Sequence, residues 1–469
     1  MKSTFVKSSE VISHKIRFDS KHYLTDDAFL SMLIERHSNH CVFLSKLAEV
    51  FNPPVFKRQF CKKTNRSVEY FQSSDVPMST ETSPVNIYKG QAENLNLLVA
   101  KGDILITGFG TIGNTRLVSK WQDGVCYANN VCRVKTYDNV HSGYVYAFLT
   151  SKFGWAQLNK NASGSVVRYI EAPGIRKTLI PNFPESFQAE VDDLIQESAR
   201  LREEANDMLE EARIELKKNA HLRDLSEEDY DYYGPHSYKR NVSCFVINRK
   251  EINTTTINAF NLSERIRKTK AMMICPTKPL KDILLGGDTF STGSFPRVEV
   301  KEGHGVMLIN QRDIFDTIIK GKNISKYGVN MDNLVEYGEV IIAGVGTLGE
   351  NETFCRALFA NEDLVGQLVS GEFIRMKTNN EVPSGYLFAW LSTDYGFRFL
   401  RNIQAGTKLC RPIPRLVREI PVPILDKDIM SEIDSKVRDA YTKRHKANVY
   451  ELKAISMVEN EIEKWNKAN

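Results

Sequence analysis

The sequence predicts a duplicated α/β (α+β) protein, in which two globular modules are each followed by a long helix. Three observations lead to this prediction: a glycine-rich segment that occurs twice, further segments that recur at a similar separation, and two long helical patterns. Residues 101–113 and 337–349 share a Gly-acid opening, three apolar residues and a Gly-x-Gly-Thr-x-Gly ending. Their openings, Gly102 and Gly338, lie 236 positions apart, about half the chain. Such self-similarity indicates an internal duplication.

Other parts of the chain recur at a similar separation, which an accidental match of two glycine loops would not predict. The pairs, each 238 to 242 positions apart, are Tyr70–Val76 with Leu308–Ile314, Ser142–Ser151 with Ser384–Thr393, Ala162–Ser165 with Gln404–Thr407, and Leu179–Pro184 with Glu419–Pro423. The repeated unit is therefore a globular module that leaves through a proline-containing segment into a helix.

The length of 469 residues is too great for one hydrophobic core, and two modules with two helices fit the usual size of domains. The composition changes where the helical patterns begin and end, and an acidic stretch followed by Gly-Pro lies between the first helix and the second module. We predict a first module at 1–184, a first helix at 185–222, a linker at 223–243, a second module at 244–424 and a second helix at 425–469.

Residues 186–219 and 426–467 have apolar side chains at three- and four-residue steps among charged ones, with no Gly or Pro. A helix over 186–219 would be about 50 Å long. Because its apolar stripe is narrow, a helix of that length needs a partner helix. The two segments are therefore predicted to pair as an antiparallel coiled coil.

Within the modules, the pattern predicts short strands and a few helices. The segments are a helix over Phe29–Val50 that is interrupted near Ser38, strands at Asn94–Ala100, Gly102–Thr107, Arg116–Ser119 and Asn130–Lys135, and a helix at Tyr144–Trp155.

The bulk composition restricts the class of protein. The net charge of +5 creates no global basic field, although the excess could lie on one face. The eight cysteines form no C-x-x-C pair and no zinc spacing, so we expect reduced structural thiols and no metal site. The N-terminus lacks the apolar run of a signal peptide, and no stretch approaches the roughly 18 apolar residues of a membrane span. We expect a soluble cytoplasmic protein with no membrane contact.

Both glycine loops match the dinucleotide fingerprint Gly-x-Gly-x-x-Gly, through Gly108, Gly110, Gly113, Gly344, Gly346 and Gly349. That fingerprint requires a helix to begin at the loop, so that the helix N-terminus meets a pyrophosphate. The residues after Gly113 read instead as a second strand, and those after Gly349 lack helical periodicity. We therefore predict tight structural hairpins, with a nucleotide-binding enzyme as a less favoured hypothesis.

The chain does not resemble an enzyme in its other motifs. Asn52–Val55 is similar to the Asn-Pro-Pro-Tyr loop of adenine methyltransferases, but Val55 cannot stack on a flipped base. A Pro-Pro turn is the favoured interpretation. No Gly-x-Ser-x-Gly elbow, Walker loop, P-D-x-n-E-x-K pattern or His-Glu-x-x-His motif is present. We expect no catalytic residues.

The order of these motifs resembles the specificity subunit of Type I restriction–modification systems. The resemblance rests on Gly102–Ile106, Gly110–Gly113, the exit Ile180–Pro184 and the helix that follows, each with a second copy, and on an opening segment, Arg17–Tyr23. The second exit is shortened to Ile420–Pro423.

The resemblance implies that each module is a target recognition domain reading one half of a bipartite double-stranded DNA target. Because the second module differs from the first between Glu251 and Gly305, we expect the two halves to differ and the target to be asymmetric. It implies that the helices fix the spacing of the half-sites and dock two methyltransferase (M) subunits. Those partners would bind S-adenosylmethionine, and restriction (R) motor-nuclease subunits would use ATP and Mg. This chain would bind no cofactor and supply recognition only, in a bacterial or archaeal cytoplasm. A Type II relative, whose partner both methylates and cleaves, remains an alternative.

Candidate DNA contacts are basic, amide and hydroxyl side chains in predicted loops. Arg and Lys can bind the acceptor edge of guanine, and Asn and Gln can bridge the donor and acceptor of adenine. In the first module we predict Lys57, Arg58, Lys62, Lys63, Arg66, Gln72, Ser73, Ser74, Thr111, Asn114, Arg116, Arg168 and Tyr169. In the second module we predict Arg297, Asn310, Gln311, Arg312, Lys320, Lys322, Lys326, Thr347, Lys408 and Arg411. Asp75 and Asp313 are predicted to cap turns.

Overall fold

The computed structural model describes residues 25–164, 167–225, 245–252, 255–379 and 381–467, together with Ser8 and Asp229. The predicted opening segment, Arg17–Tyr23, and most of the predicted linker lie outside the described residues. The chain divides into two compact units. Unit 1 comprises residues 1–203 and 446–469, and unit 2 comprises residues 204–445.

Unit 1 is a mixed α/β unit. Its helices are α1 (Asp26–Arg36), α2 (Lys89–Asn94), α3 (Ser142–Thr150), α4 (Lys152–Lys160) and α5 (Ala172–Ile175), and its strands are β1 (Cys41–Phe43), β2 (Ala48–Phe51), β3 (Phe60–Cys61), β4 (Ser67–Phe71), β5 (Asn86–Tyr88), β6 (Ile104–Thr107), β7 (Thr115–Leu117), β8 (Cys126–Tyr127), β9 (Val131–Thr136) and β10 (Leu179–Pro181). The sheet orders are β2-β9-β6-β7, β3-β5-β4-β8 and β1-β10.

Unit 2 has the same kind of architecture. Its helices are α7 (Ala259–Leu262), α8 (Glu264–Ala271), α9 (Leu280–Ile283), α10 (Ser384–Ser392), α11 (Asp394–Asn402) and α12 (Pro414–Val417), and its strands are β11 (Thr277–Pro279), β12 (Val306–Ile309), β13 (Lys322–Ile324), β14 (Val340–Ala343), β15 (Ala357–Phe359), β16 (Leu368–Val369), β17 (Phe373–Met376), β18 (Gln404–Ala405), β19 (Arg411–Pro412) and β20 (Pro421–Pro423). The sheet orders are β13-β12-β16, β15-β14-β17, β11-β20 and β18-β19.

The strand pairings repeat between the units, which confirms the predicted duplication. In unit 1, β4 pairs antiparallel with β5 and parallel with β8. In unit 2, β12 pairs antiparallel with β13 and parallel with β16. The strands that lead into the glycine loops, β6 and β14, each lie between two antiparallel neighbours. Each proline-containing exit strand, β10 or β20, pairs with the first described strand of its own module, β1 or β11.

The long helices, α6 (Glu185–Asn219) and α13 (Lys427–Lys467), begin and end within one residue of the apolar patterns at 186–219 and 426–467. They lie within the wider predicted helix ranges, 185–222 and 425–469. Residues 185–203 of α6 and 446–467 of α13 belong to unit 1, and the remainder belongs to unit 2. Val191 and Ile195 from α6 and Val458 and Ile462 from α13 are part of the hydrophobic core of unit 1. The long helices therefore complete the modules as well as following them.

The two long helices contact one another within each unit. In unit 1, the Ser198 hydroxyl donates to the backbone oxygen of Ala447 at 2.8 Å, and Arg202 donates to the side-chain oxygen of Asn448 at 2.7 Å. In unit 2, Lys443 pairs with Glu204, and Lys436 pairs with Glu215. In unit 2 the residue numbers of these pairs rise on α6 as they fall on α13, so the two helices run antiparallel there.

An equivalent pair of hydrogen bonds fastens each module to its own exit and helix. The backbone nitrogen of Gly143 donates to Asp192 Oδ1 at 2.6 Å, and that of Gly385 donates to Asp434 Oδ1 at 2.7 Å. A Cβ at either glycine would lie within about 3 Å of its aspartate, at 2.5 Å and 2.6 Å from the carboxylate oxygen. The first turn of α3 is thereby held against α6 in unit 1, and the first turn of α10 is held against α13 in unit 2.

The predicted helix over Phe29–Val50 is wrong in its second half. Helix α1 forms, with the Thr25 hydroxyl accepting from the Ala28 nitrogen at its N-terminus. Beyond Arg36 the chain forms β1, whose partner β10 lies more than a hundred residues later. The apolar residues of this segment also match helical spacing, so a short pattern could not distinguish a strand whose partner is remote.

Candidate nucleic-acid interface

In unit 1, the predicted glycine hairpin is confirmed. The loop after β6 returns directly into β7, with Ile104 opposite Leu117 and Ile106 opposite Thr115. Gly110 and Gly113 have φ of +75° and +89°, a backbone region that favours glycine. No helix begins at this loop, so the arrangement lacks the N-terminus that a pyrophosphate site requires.

The side chain of Thr107 holds the loop closed from within. Its hydroxyl donates to the backbone oxygen of Thr111 at 2.5 Å and accepts from the backbone nitrogen of Asn114 at 3.0 Å. The loop therefore keeps a defined shape while Thr111 stays exposed.

A second hairpin, whose described residues are 163–164 and 167–169, lies against the glycine loop. Ser163 and Tyr169 exchange two backbone hydrogen bonds, at 2.8 Å and 2.9 Å, and the nitrogen of Ile170 donates to the Gly108 oxygen at 2.8 Å. A Cβ at Gly108 would lie 2.6 Å from the Ile170 oxygen, so glycine permits this close approach. The rings of Phe109 and Tyr169 stack across the contact, with centroids 5.6 Å apart and planes at 15°.

A third segment, the turn Ser73–Asp75, joins the same surface through Asn130. The Asn130 amide donates to the Ser73 hydroxyl at 3.2 Å, and its backbone oxygen accepts from the Gly108 nitrogen at 3.0 Å. As predicted, Asp75 caps the turn, since its carboxylate accepts from the Gln72 nitrogen at 2.6 Å. Turn, glycine loop and hairpin thus form one three-segment surface.

Unit 2 brings the corresponding three segments together. The side-chain amide of Gln311 holds the backbone of Val345 at both ends: its oxygen accepts from the Val345 nitrogen at 3.1 Å, and its nitrogen donates to the Val345 oxygen. Gly346 and Cys410 exchange backbone hydrogen bonds at 3.2 Å and 2.7 Å, which joins the loop to the hairpin 404–412. The second three-segment surface therefore consists of residues 310–313, 344–349 and 404–412.

Two arginines of unit 2 hold the C-terminal end of its glycine loop, at Gly349 and Glu350. Arg398 makes a two-pronged ion pair with Glu350, at 2.7 Å and 2.9 Å. Arg401 donates to the Gly349 oxygen at 2.6 Å and lies over the Phe397 ring, 4.5 Å from its centroid. Burial lowers the pKa of Arg401 from its ordinary value. These arginines are structural supports of the loop, and sequence reasoning missed them because they lie in a helix distant in sequence.

A shallow pocket of about 210 Å³ opens beside the glycine loop of unit 2. Its lining includes Val345, Phe373, Arg411 and Pro412. Nearby, on the segment 310–320, burial is the chief cause that raises the pKa of Asp316 to about 6, and the Asp313 carboxylate raises it further.

The structure places most predicted contact residues on exposed surface. The exposed ones are Lys57, Arg58, Lys62, Lys63, Arg66, Gln72, Ser74, Thr111, Arg168, Tyr169, Arg297, Arg312, Lys320, Lys322, Lys326, Thr347, Lys408 and Arg411. Ser73, Asn114, Asn310 and Gln311 are half-buried. The residues on the two three-segment surfaces are brought together. The remaining exposed residues lie on other segments of their units, namely Lys57–Arg66, Arg297, Lys320, Lys322 and Lys326.

Some of these exposed cations already have partners inside the protein. Arg58 lies over the Tyr70 ring at 5.7 Å, and Arg297 lies over the Phe295 ring at the same distance. Lys63 pairs with Glu69 at 3.3 Å, and Lys322 pairs with Glu299. Exposed pairs of this kind are weak, so they can be exchanged for a phosphate at small cost.

Arg116 is a correction to the predicted set, because it is a structural residue of the interior. Its side chain is buried, its Nε donates to Gln122 at 2.8 Å, and its guanidinium pairs with Glu81 at 2.8 Å. It also donates to the Met78 oxygen. Arg116 lies on the inward side of β7, and it is not carried into the proposed interface.

Among the described residues, no group of three or more His, Cys, Asp or Glu side chains is placed to hold a metal ion. The cysteines at 41, 61, 126, 132, 275, 355 and 410 are free thiols. In the part of the chain that the structure describes, no helix combines the length and apolar character that a membrane crossing requires.

Comparison with protein-family models gives no match, and comparison with curated proteins gives none either. Solved structures are similar to this chain over most of its length. The S subunit of a Type I restriction–modification system from M. genitalium is 13% identical, with a TM-score of 0.37 over 89% of this chain and 95% of that chain. The HsdS subunit from Thermoanaerobacter tengcongensis is 13% identical, with a TM-score of 0.26 over 91% and 95%. The type IIG restriction endonuclease BpuSI is 10% identical, with a TM-score of 0.29 over 40% and 30%.

Proposed function

We propose that this chain is the DNA sequence-specificity subunit of a restriction–modification complex. The observation that carries the proposal is the three-segment surface, which occurs in each unit and is built from equivalent positions. Each copy presents exposed hydroxyl, amide and basic side chains, such as Gln72 and Thr111 in unit 1 and Arg312 and Thr347 in unit 2. These are the groups that read base edges and hold phosphates.

The two surfaces would read two half-sites of one bipartite target. A single small surface distinguishes only a few base pairs, and linking two such readers multiplies their binding constants. The side chains differ between the surfaces: Gln72, Ser73 and Ser74 in the first turn stand where Asn310, Gln311 and Arg312 stand in the second. We therefore expect an asymmetric target.

The long helices would set the spacing and dock the partners, two methyltransferase subunits and the restriction subunits. Large apolar side chains are exposed on them, with Val449 and Leu452 about half exposed on α13 in unit 1 and Ile214 about half exposed on α6 in unit 2. Exposed apolar side chains on a helix are typical of surfaces that another subunit covers. S-adenosylmethionine would then bind the methyltransferase subunits, and ATP with Mg the restriction subunits.

The proposal is tested by methylome sequencing of a heterologous strain that expresses this chain with its methyltransferase partner. We expect one methylated motif made of two unlike halves separated by a fixed gap. Replacing Gln311 and Arg312 by alanine should relax or abolish recognition of one half only. The proposal would be contradicted if the partner methylated the same motif with or without this chain.

A Type II relative is the alternative within the same class. The distinction lies in the partner, because a single subunit would both methylate and cleave. Cleavage by the purified complex without an ATP-driven motor subunit would favour this alternative. Calorimetry of the isolated chain tests the remaining enzyme hypothesis, since tight stoichiometric binding of a nucleotide or S-adenosylmethionine would contradict a recognition-only role.

A further inference from the structure

The stacked pair Phe109–Tyr169 is unusual because both rings are on the surface. Each is 38% exposed, and neither belongs to a hydrophobic core cluster of unit 1. Their backbones form an antiparallel bridge, and the bonds of Gly108 with Asn130 and Ile170 fix the strand ends on either side. The rings are therefore held in place while one part of each faces solvent.

The fold itself does not require this pair. In unit 2 the equivalent positions carry Val345 and Arg411, which lie 236 and 242 residues later in the chain. There the glycine loop and the hairpin still meet through Gly346 and Cys410, and Val345 and Arg411 line the pocket of about 210 Å³. The same contact between loop and hairpin thus forms without an aromatic pair, which points to a role outside folding.

An exposed apolar pair on a DNA-reading surface fits one feature of the major groove. Among the base edges there, only thymine presents an apolar group, its 5-methyl, and phenyl rings pack well on it. A wedge between base steps is a less suitable role. The two rings stack on each other, so together they are about twice as thick as the single ring that an opened step accommodates.

We propose that Phe109 and Tyr169 recognise the 5-methyl group of a thymine in the half-site read by the first module. This inference rests on the proposed function, because it specifies the base that one of the two surfaces reads. The second module, with Arg411 in place of Tyr169, carries a donor suited to guanine and no apolar pair at this position.

The test uses the complex of the full chain with its methyltransferase partner and duplexes that carry the methylated motif. Thymines of both half-sites are replaced one at a time by deoxyuridine, which removes the methyl group and leaves the base pair intact. We expect one replacement, in one half-site only, to weaken binding about fourfold to tenfold. In Phe109→Ala and Tyr169→Ala, binding to the thymine and deoxyuridine duplexes should become equal at that position.

Phe109→Leu serves as a conservative variant and should keep part of the preference for thymine. Arg411→Ala is the matched control in the second module, and it should leave the deoxyuridine effect unchanged. A complex that binds its bipartite target but tolerates deoxyuridine at every thymine, or a half-site without thymine, would overturn this inference alone. A complex with no sequence preference at all would overturn the proposed function.

Discussion

Two fully buried arginines occupy equivalent positions in the units and are stabilised in different ways. Arg133, on β9, donates to backbone oxygens of Leu97, Tyr127 and Ala128, at 3.0, 2.7 and 2.9 Å, and burial lowers its pKa to about 10. Arg375, on β17, pairs with the carboxylate of Glu339 through two bonds of 2.8 Å. Unit 2 therefore contains a buried ion pair at the position where, in unit 1, backbone carbonyl oxygens accept hydrogen bonds from the arginine.

We predict that Arg375→Met destabilises the protein by about 3–5 kcal/mol, because it removes the guanidinium that pairs with the buried Glu339 carboxylate. Among the described residues, that carboxylate would keep only the Glu336 nitrogen and a Lys377 ammonium at 3.9 Å as partners. Chemical denaturation of the full chain measures the effect. Lys281→Met is the control, since its pair with Glu419 is exposed and should contribute less than about 1 kcal/mol. Equal effects of the two substitutions would argue against a special role for the buried pair.

A second prediction concerns Asp316, whose pKa rises to about 6 chiefly through burial. The folded protein then holds this proton more tightly than the unfolded chain, whose aspartates titrate near 4. The stabilising contribution of the protonated group is therefore present at low pH and is lost as the pH rises from about 4 through 6. Asp316→Asn should flatten this dependence and raise stability at pH 7, as measured by urea unfolding across that range. The exposed Asp332→Asn should change neither.

At the scale of single residues, the sequence predicted which cations are exposed more accurately than it predicted which side chains support the structure. Arg116 lies in a three-residue strand, where the pattern is too short to show which side chains point inward. Asn130 and Gln311 each join two segments of the surface through hydrogen bonds to residues 57 and 34 positions away in the chain. Such contacts leave no periodic signal along the chain.

At the scale of elements, the glycine loops give a matched pair of variants. Gly110→Val requires φ of +75°, which valine resists, and Gly346→Val places a side chain at about 2.9 Å from Phe354 Cβ. We expect Gly110→Val to weaken recognition of one half-site and Gly346→Val that of the other. Binding assays on duplexes with one half-site scrambled at a time distinguish the two. Loss at both halves in either variant would contradict independent modules.

The accuracy of the element predictions followed the length of each pattern. More than thirty residues of unbroken apolar spacing located α6 and α13 to within three residues of the predicted helix ranges, because few other structures satisfy so many positions. Strands of two to four residues, such as β1 and β2, depend instead on partners elsewhere in the chain. The predicted strands at Gly102–Thr107, Arg116–Ser119 and Asn130–Lys135 correspond to β6, β7 and β9. The predicted strand at Asn94–Ala100 is wrong, because that segment forms only an isolated bridge at Leu98.

At the scale of the whole molecule, the paired helices are proposed to set the gap between half-sites. We predict that one helical turn, inserted after Ala205 in α6 and opposite it after Lys443 in α13, lengthens the gap and leaves both half-sites unchanged. Each added turn extends a helix by about 5.4 Å, between one and two base-pair steps. Methylome sequencing measures the gap. The insertion in α6 alone, which shifts Glu215 away from Lys436, should impair assembly. An unchanged gap in the paired insertion would contradict the spacing role.

The division of the chain into units has a consequence for biosynthesis. Unit 1 includes residues from 446 onward, among them Ala454, Val458 and Ile462 of its hydrophobic core and Glu451, which accepts from the Tyr146 hydroxyl at 2.7 Å. A ribosome makes these residues only after all of unit 2 has been translated. The hydrophobic core of unit 1 can therefore be completed only after unit 2 has been synthesised. A nonsense codon near residue 445 would remove the part of that core contributed by α13, although the first module itself would be translated in full.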